Sequence, residues 1–280
     1  HKSPVNLDDF TVEEIIEKLK TEWTPEKFNE QFKGDDFLNP RGTEGLGDAL
    51  KLNVEKRPEE YIKNITGFFD RDKIHPHYLY SILRAIEEML RNKQSLAMDQ
   101  IGKIISLFDS IGESGKLKPF EKKDDKSWLV DWIGVHKISI DTLLYILEDK
   151  NEEKIKEIQK THKRQIENLI SYLFTIKDSP SKDEEKSQHS EPYGRAINSV
   201  RGRGYESLVV FAGNEGEILS DKTKELFKKA LADNSLAVRF VIGRYLATFY
   251  FRGKEFITNL LPDIFPKDDP EMKDIYLATW

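Results

Sequence analysis

The chain has 280 residues, of which 38% are apolar, 11% aromatic and 34% charged, the last well above the ~25% of ordinary globular chains. This excludes collagen-like, low-complexity and wholly disordered polypeptides. With 44 basic and 50 acidic residues the net charge is −6, so no large cationic field exists to hold nucleic acid or anionic lipid without specificity. Cys is absent, which excludes disulfides, thiolate zinc and a Cys nucleophile, and suits a reducing, cytoplasmic setting.

Helix signals run from end to end. Thr11 and Glu14 have the spacing of a capping box, and Val12, Ile15, Ile16 and Leu19 follow on one helical face. Trp23-Thr24-Pro25 ends this helix, and a stretch with Gly, Pro and Asp leads to a short helix over 48–56. Pro58 restarts the chain with Glu59 and Glu60 in the first turn. Leu79, Ile82, Leu83, Ile86, Met89 and Leu90 give the clearest 3.6-residue period, over 76–91. A further helix is expected over 98–111, then a loop over 112–125, then helices over 128–148 and 153–174.

Residues 178–191 hold five acids, two lysines, four serines and a proline but no aliphatic residue, the composition of a mobile linker. Helices follow over 192–212, 221–232, 235–250, 254–264 and from Pro270. Leu236–Phe251 is too short and too charged, with Arg239 and Arg244, for the ~20 apolar residues of a membrane span, and reads as a buried helix. The start at His1 and the stop at Trp280, inside an amphipathic pattern, read as an excised piece of a longer protein.

The fold expected is all-α. Helix-pair starts near 11, 58, 97, 153, 192 and 235 lie about 40 residues apart, the range of HEAT and armadillo repeats. An irregular α-solenoid of stacked antiparallel pairs is therefore favoured over a bundle, with repeats in 1–177 and 192–280 joined by 178–191.

Candidate chemistry is sparse. Ser110–Leu117 approximates a phosphate loop, but Ser110 stands where the first Gly is needed and Leu117 where Ser or Thr would hold magnesium. Gly115 reads instead as a helix-end or loop glycine. His75 and His77, near Asp70 and Asp72, suggest a metal, yet they suit helix capping around Pro76 better. His136, His162 and His189 lack local partners for a triad. Glu87 and Glu88, like Glu152 and Glu153, read as solvated helix faces. Trp128 and Trp132, one turn apart, form either an aromatic platform or core. No catalytic residue, metal or cofactor is assigned.

The most distinctive feature is arginine in the carboxy-terminal part, where 13 basic residues face 12 acidic ones over 192–280. Arg195, Arg201, Arg203, Arg239 and Arg244 are the candidate contacts for an anion or partner. The competing reading is structural: Arg201 and Arg244 lie half-buried between helix layers, holding carboxylates or helix-end carbonyls. Gly202 and Gly204, each costing ~1 kcal/mol within a helix, then mark close packing.

The runs Ala196–Gly202, Leu236–Arg239 and Leu261–Pro266 resemble the helical-repeat region of very large prokaryotic P-loop ATPases of the STAND type associated with antiviral defence. Gly45–Ala49 and Lys56–Glu59 look like earlier repeats of the same kind. The resemblance implies a non-catalytic sensor or scaffold array whose partner is a protein or another domain of the parent chain. A nucleic-acid-binding or base-repair HEAT protein is the alternative; the net charge disfavours it, and no membrane partner is expected.

Overall fold

Local signals place the helices. In the computed structural model, which describes residues 2–33, 41–120, 129–178, 192–216 and 218–280, Thr11 opens α1 (Val12–Thr21) with both bonds of a capping box. Its amide donates to Glu14 Oε2 at 2.8 Å, and the Glu14 amide donates to Thr11 Oγ1 at 3.2 Å. The Thr11 amide, and the Thr11 hydroxyl donating to the same oxygen at 3.1 Å, hold the Glu14 carboxyl below its ordinary pKa. Thr24, expected only to end that helix, caps a short second one, α2 (Pro25–Gln31). The described residues are all-helical and contain no strand, only an isolated bridge between Lys2 and Arg41.

The chain divides into two compact units, His1–Ile146 and Leu147–Trp280. This break comes earlier than the 178–191 segment from which the sequence drew its boundary; residues 179–191 lie outside the described residues. In the amino-terminal unit α3 (Thr43–Lys56) packs against α5 (Pro76–Arg91). The short α4 (Pro58–Lys63) and a 3-10 turn over Ile65–Phe68 pack against α6 (Met98–Leu117), and α7 (Trp132–Leu147) completes the unit. Leu46, Leu50, Ile82, Leu83, Ile86, Ile104 and Phe108 are among its fully enclosed side chains.

Two expectations in this unit need correction. Residues 112–117, expected as loop, form the last turns of α6, with Gly112 and Gly115 buried; Ser110–Leu117 is thus helical and forms no phosphate-cradling loop. Glu87, expected on a solvated face, is only 3% exposed and lies 3.2 Å from the Arg84 guanidinium, while Glu88 binds Lys51 Nζ of α3 at 2.8 Å. The cations outweigh burial and keep Glu88 ionised below the usual range, led by the Lys51 bond.

His136 is enclosed in α7, its Nδ1 against the Trp132 carbonyl and its ring edge-on to Phe120. Burial pushes its pKa down to about 4, against the Trp132 bond, which works the other way. The unfolded chain takes up this proton near pH 6.5 and the folded chain only near 4, so stability is complete above pH 6.5 and falls between the two values. Urea titrations across that window should show a loss on the order of 3 kcal/mol in the native chain and a flatter profile in His136→Phe. Parallel profiles would rule out this origin.

In the carboxy-terminal unit, α8 (Glu152–Leu173) buries Ile166, Leu169, Ile170 and Leu173 and packs against α10 (Val200–Gly213) and α11 (Asp221–Leu231). The expected single helix over 192–212 is two, α9 (Pro192–Asn198) and α10, broken where Ser199 Oγ accepts the Gly202 amide at 2.9 Å. A Cβ on Gly202 would lie 2.4 Å from the Ala196 carbonyl oxygen, which explains that glycine by close approach. Asp178 Oδ2 accepts the Val200 amide at 2.5 Å at the same junction.

The apolar run read as a buried helix is α12 (Leu236–Arg252), the hub of this unit. It is contacted by α9, α10, α11, α13 (Lys254–Ile264) and α14 (Lys273–Thr279). Glu215 fastens the α10–α11 connection to α8. Burial opposes its ionisation, but Lys163 at 2.7 Å and Thr223 at 2.5 Å hold its pKa below the ordinary value.

Candidate functional site

The arginines proposed as contacts sit in the carboxy-terminal unit in four kinds of surroundings. Arg201 forms an ion pair with Asp233 at 2.9 Å, and Arg203 pairs with Glu206 on its own helix. Glu206 also accepts Tyr245 Oη from α12 at 2.8 Å, tying α10 to the hub. Arg195 is half-buried on α9. Arg244, for which the structural reading expected partial burial, is exposed with its guanidinium over the Tyr245 ring.

Arg239 is the buried member, 1% exposed, and it is no surface contact. Its Nη1 donates to the Leu231 carbonyl at 2.8 Å and its Nη2 to the Asp263 and Ile264 carbonyls at 2.7 and 2.8 Å. Its Nε donates to Thr279 Oγ1 at 3.3 Å. The last carbonyls of a helix have no intrahelical partner; one planar guanidinium here satisfies those ending α11 and α13 while holding α14. Arg252 does the same for α10, donating to the Gly213 carbonyl at 2.7 Å and also to that of Gly216.

The same support fixes the inner faces of α13 and α14. Ile257 and Ile264 of α13 and Ile275 and Thr279 of α14 point into the unit. The opposite positions stay outside: Leu261 is 37%, Leu277 57% and Trp280 85% exposed. Pro262 lies in the last turn of α13, after which Phe265 packs edge-on against Tyr276 and Trp280 at 6.4 and 5.9 Å. Leu261, Pro262, Phe265, Pro266, Lys267, Asp268 and Asp269 line an open cleft of about 630 Å³. Asp269 turns the chain into α14 by accepting the Glu271 amide at 2.9 Å.

A smaller cleft of about 220 Å³ in the amino-terminal unit is lined by Arg71, Asp72, His75, Pro76, Lys118, Asp131 and Trp132. Arg71, His75 and Asp131 have structural roles there. Arg71 donates to the Lys118 and Pro119 carbonyls just past α6 and lies 4.2 Å from the Phe120 ring centre. His75 Nδ1 caps α5 by accepting the His77 amide at 3.2 Å, and His77 Nδ1 accepts the Val130 amide at 3.3 Å. Asp131 accepts the Gly134 amide at 3.2 Å in the first turn of α7. Trp132 is buried against Phe69 and Phe120 as core, whereas Trp128 and His189 lie outside the described residues. Among the described residues no three His, Cys, Asp or Glu side chains are grouped to hold a metal, and no helix is long and apolar enough to cross a membrane.

Comparison of the chain with protein-family models, with curated proteins and with solved structures finds no match in any of the three.

Proposed function

We propose that this chain is a non-catalytic helical-repeat scaffold that binds a protein partner, or another domain of a parent chain, through the cleft at the end of α13. The reading includes the irregular HEAT-like stacking expected from repeat spacing and a place within a larger prokaryotic ATPase of the STAND type. One observation carries it: large apolar side chains are held outward on two helices whose inner faces are fixed by a buried arginine. Soluble domains seldom expose such clusters without use for them. The strongly perturbed titratable groups, His136, Tyr61, Tyr78 and Tyr205, are core residues outside the lining of either cleft, which favours binding over chemistry. The nucleic-acid alternative loses support because Arg201, Arg203 and Arg239 are engaged inside the unit.

A random peptide library displayed on phage tests the reading without presupposing chemistry. Enriched peptides should bind the purified chain and lose at least about tenfold in affinity to Leu261→Asp, which removes an exposed apolar side chain lining the cleft. Peptides that bind the variant equally well would place recognition elsewhere.

A further inference from the structure

We propose that Lys163, Glu167 and Glu215 form a proton-operated lock between α8 and the connection from α10 to α11, in which Glu167 takes up a proton in mildly acidic solution and the docking tightens. Its basis is a surplus of buried negative charge. The side chains of Glu215 and Glu167 are only 2% and 11% exposed, and both face one ammonium. Lys163 Nζ lies 2.7 Å from Glu215 but 3.9 Å from Glu167. Glu215 also accepts the Thr223 hydroxyl at 2.5 Å and the Ser220 amide at 3.4 Å. Glu167 Oε1 is buried and accepts no hydrogen bond from any described residue.

The surrounding charges do not make up the difference. From α11, Lys222 and Glu225 face Glu167, but they pair with each other at 2.9 Å. On α10, Arg201 is held by Asp233, and Arg203 by Glu206. One cation thus serves two enclosed carboxylates: the better-bonded Glu215 stays ionised, and Glu167 bears the cost of the second charge. Burial lifts the Glu167 carboxyl above its ordinary 4.5, with Lys163 opposing the lift and Glu215 adding to it. Glu215 is held below that value despite its own burial. The folded chain therefore keeps the Glu167 proton more tightly than the unfolded chain does. The stability this gives is full below the ordinary carboxylate range and fades as pH rises through the raised midpoint. That from Glu215 is full above the range and is lost as pH falls through its lowered midpoint. The lock uses none of the residues lining the α13 cleft, so it stands or falls apart from the binding reading.

The test is a carbon-13 titration of the side-chain carboxyls in the full chain, with Glu167→Gln and Glu215→Gln to identify the resonances. Glu167 should titrate above 4.5 and Glu215 below it. Glu215→Gln keeps an acceptor for Thr223 and frees the ammonium, so it should bring the Glu167 midpoint down; Lys163→Met should raise both midpoints. Circular dichroism checks that each variant is folded. Hydrogen exchange over 159–173, corrected for intrinsic rates, should show opening that becomes rarer as pH falls from about 7 to about 5. One proton allows at most about tenfold per pH unit, and Glu167→Gln should abolish the trend. A Glu167 midpoint at or below 4.5 in the native chain, or one unmoved by Glu215→Gln, overturns the lock. So does exchange with the same pH dependence in the native chain and Glu167→Gln. If a variant fails to fold, the native titration alone decides.

Discussion

Arg239→Met is expected to destabilise the carboxy-terminal unit by about 3–5 kcal/mol, a large share of the ~5–15 kcal/mol that holds a typical domain together. The methionine fills most of the volume, so the loss comes from the carbonyls of Leu231, Asp263 and Ile264, left without their guanidinium donor. Each buried acceptor left without a donor costs about 1–3 kcal/mol. Arg239→Lys should recover only part of this, because an ammonium is a point donor and cannot span carbonyls from two helices. Thermal unfolding should place the methionine variant roughly 10 °C below the native chain. A shift of a degree or two would mean that the carbonyls find water or relax, and would remove Arg239 from its supporting role.

A second large effect is expected at Gly243. A Cβ there would lie 1.7 Å from the Thr279 carbonyl oxygen, so α12 and α14 touch backbone to backbone. Gly243→Val cannot be relieved by moving a side chain. It should cost about 3 kcal/mol by forcing α14 outward, or release α14 altogether. Hydrogen exchange over 273–280 should rise in the variant, and the Phe265–Trp280 contact should be lost. Gly213→Ala is the control, since its nearest neighbour is Thr248 at 4.0 Å; it should be neutral or gain up to ~1 kcal/mol from helix propensity. Unchanged exchange in Gly243→Val would show that α14 is not seated as described.

The sequence disclosed most where one residue's chemistry settles local structure. Thr11 with Glu14, the 3.6-residue period of α5 and the bounds of α13 were all legible before any tertiary contact was known. It disclosed least where packing decides. The α12 run is apolar on nearly every side, so periodicity could not tell that Arg239 faces inward and Arg244 outward; the five helices around it make that choice. Glu87 carries a readable signal of burial: it lies one turn after Leu83, inside the apolar stripe, with Arg84 and Arg91 within reach. Ser199 caps α10, a break that the single helix expected over 192–212 does not contain. The cleft was the hardest to foresee. Trp280 looked like the edge of an unfinished pattern, and only the chain's turn after α13 brings it against Phe265.

The sequence spacing of the Arg239 clamp also bears on kinetics. Its acceptors lie 8, 24, 25 and 40 residues away along the chain. The guanidinium can be fully satisfied only after α13 and α14 have docked on α12, so the clamp closes late, once most of the unit is in place. Interactions absent from the folding transition state act almost entirely on the rate of escape from the native state. Arg239 is therefore a latch on unfolding: weakening it shortens the lifetime of the assembled helices while leaving the speed of their assembly nearly unchanged.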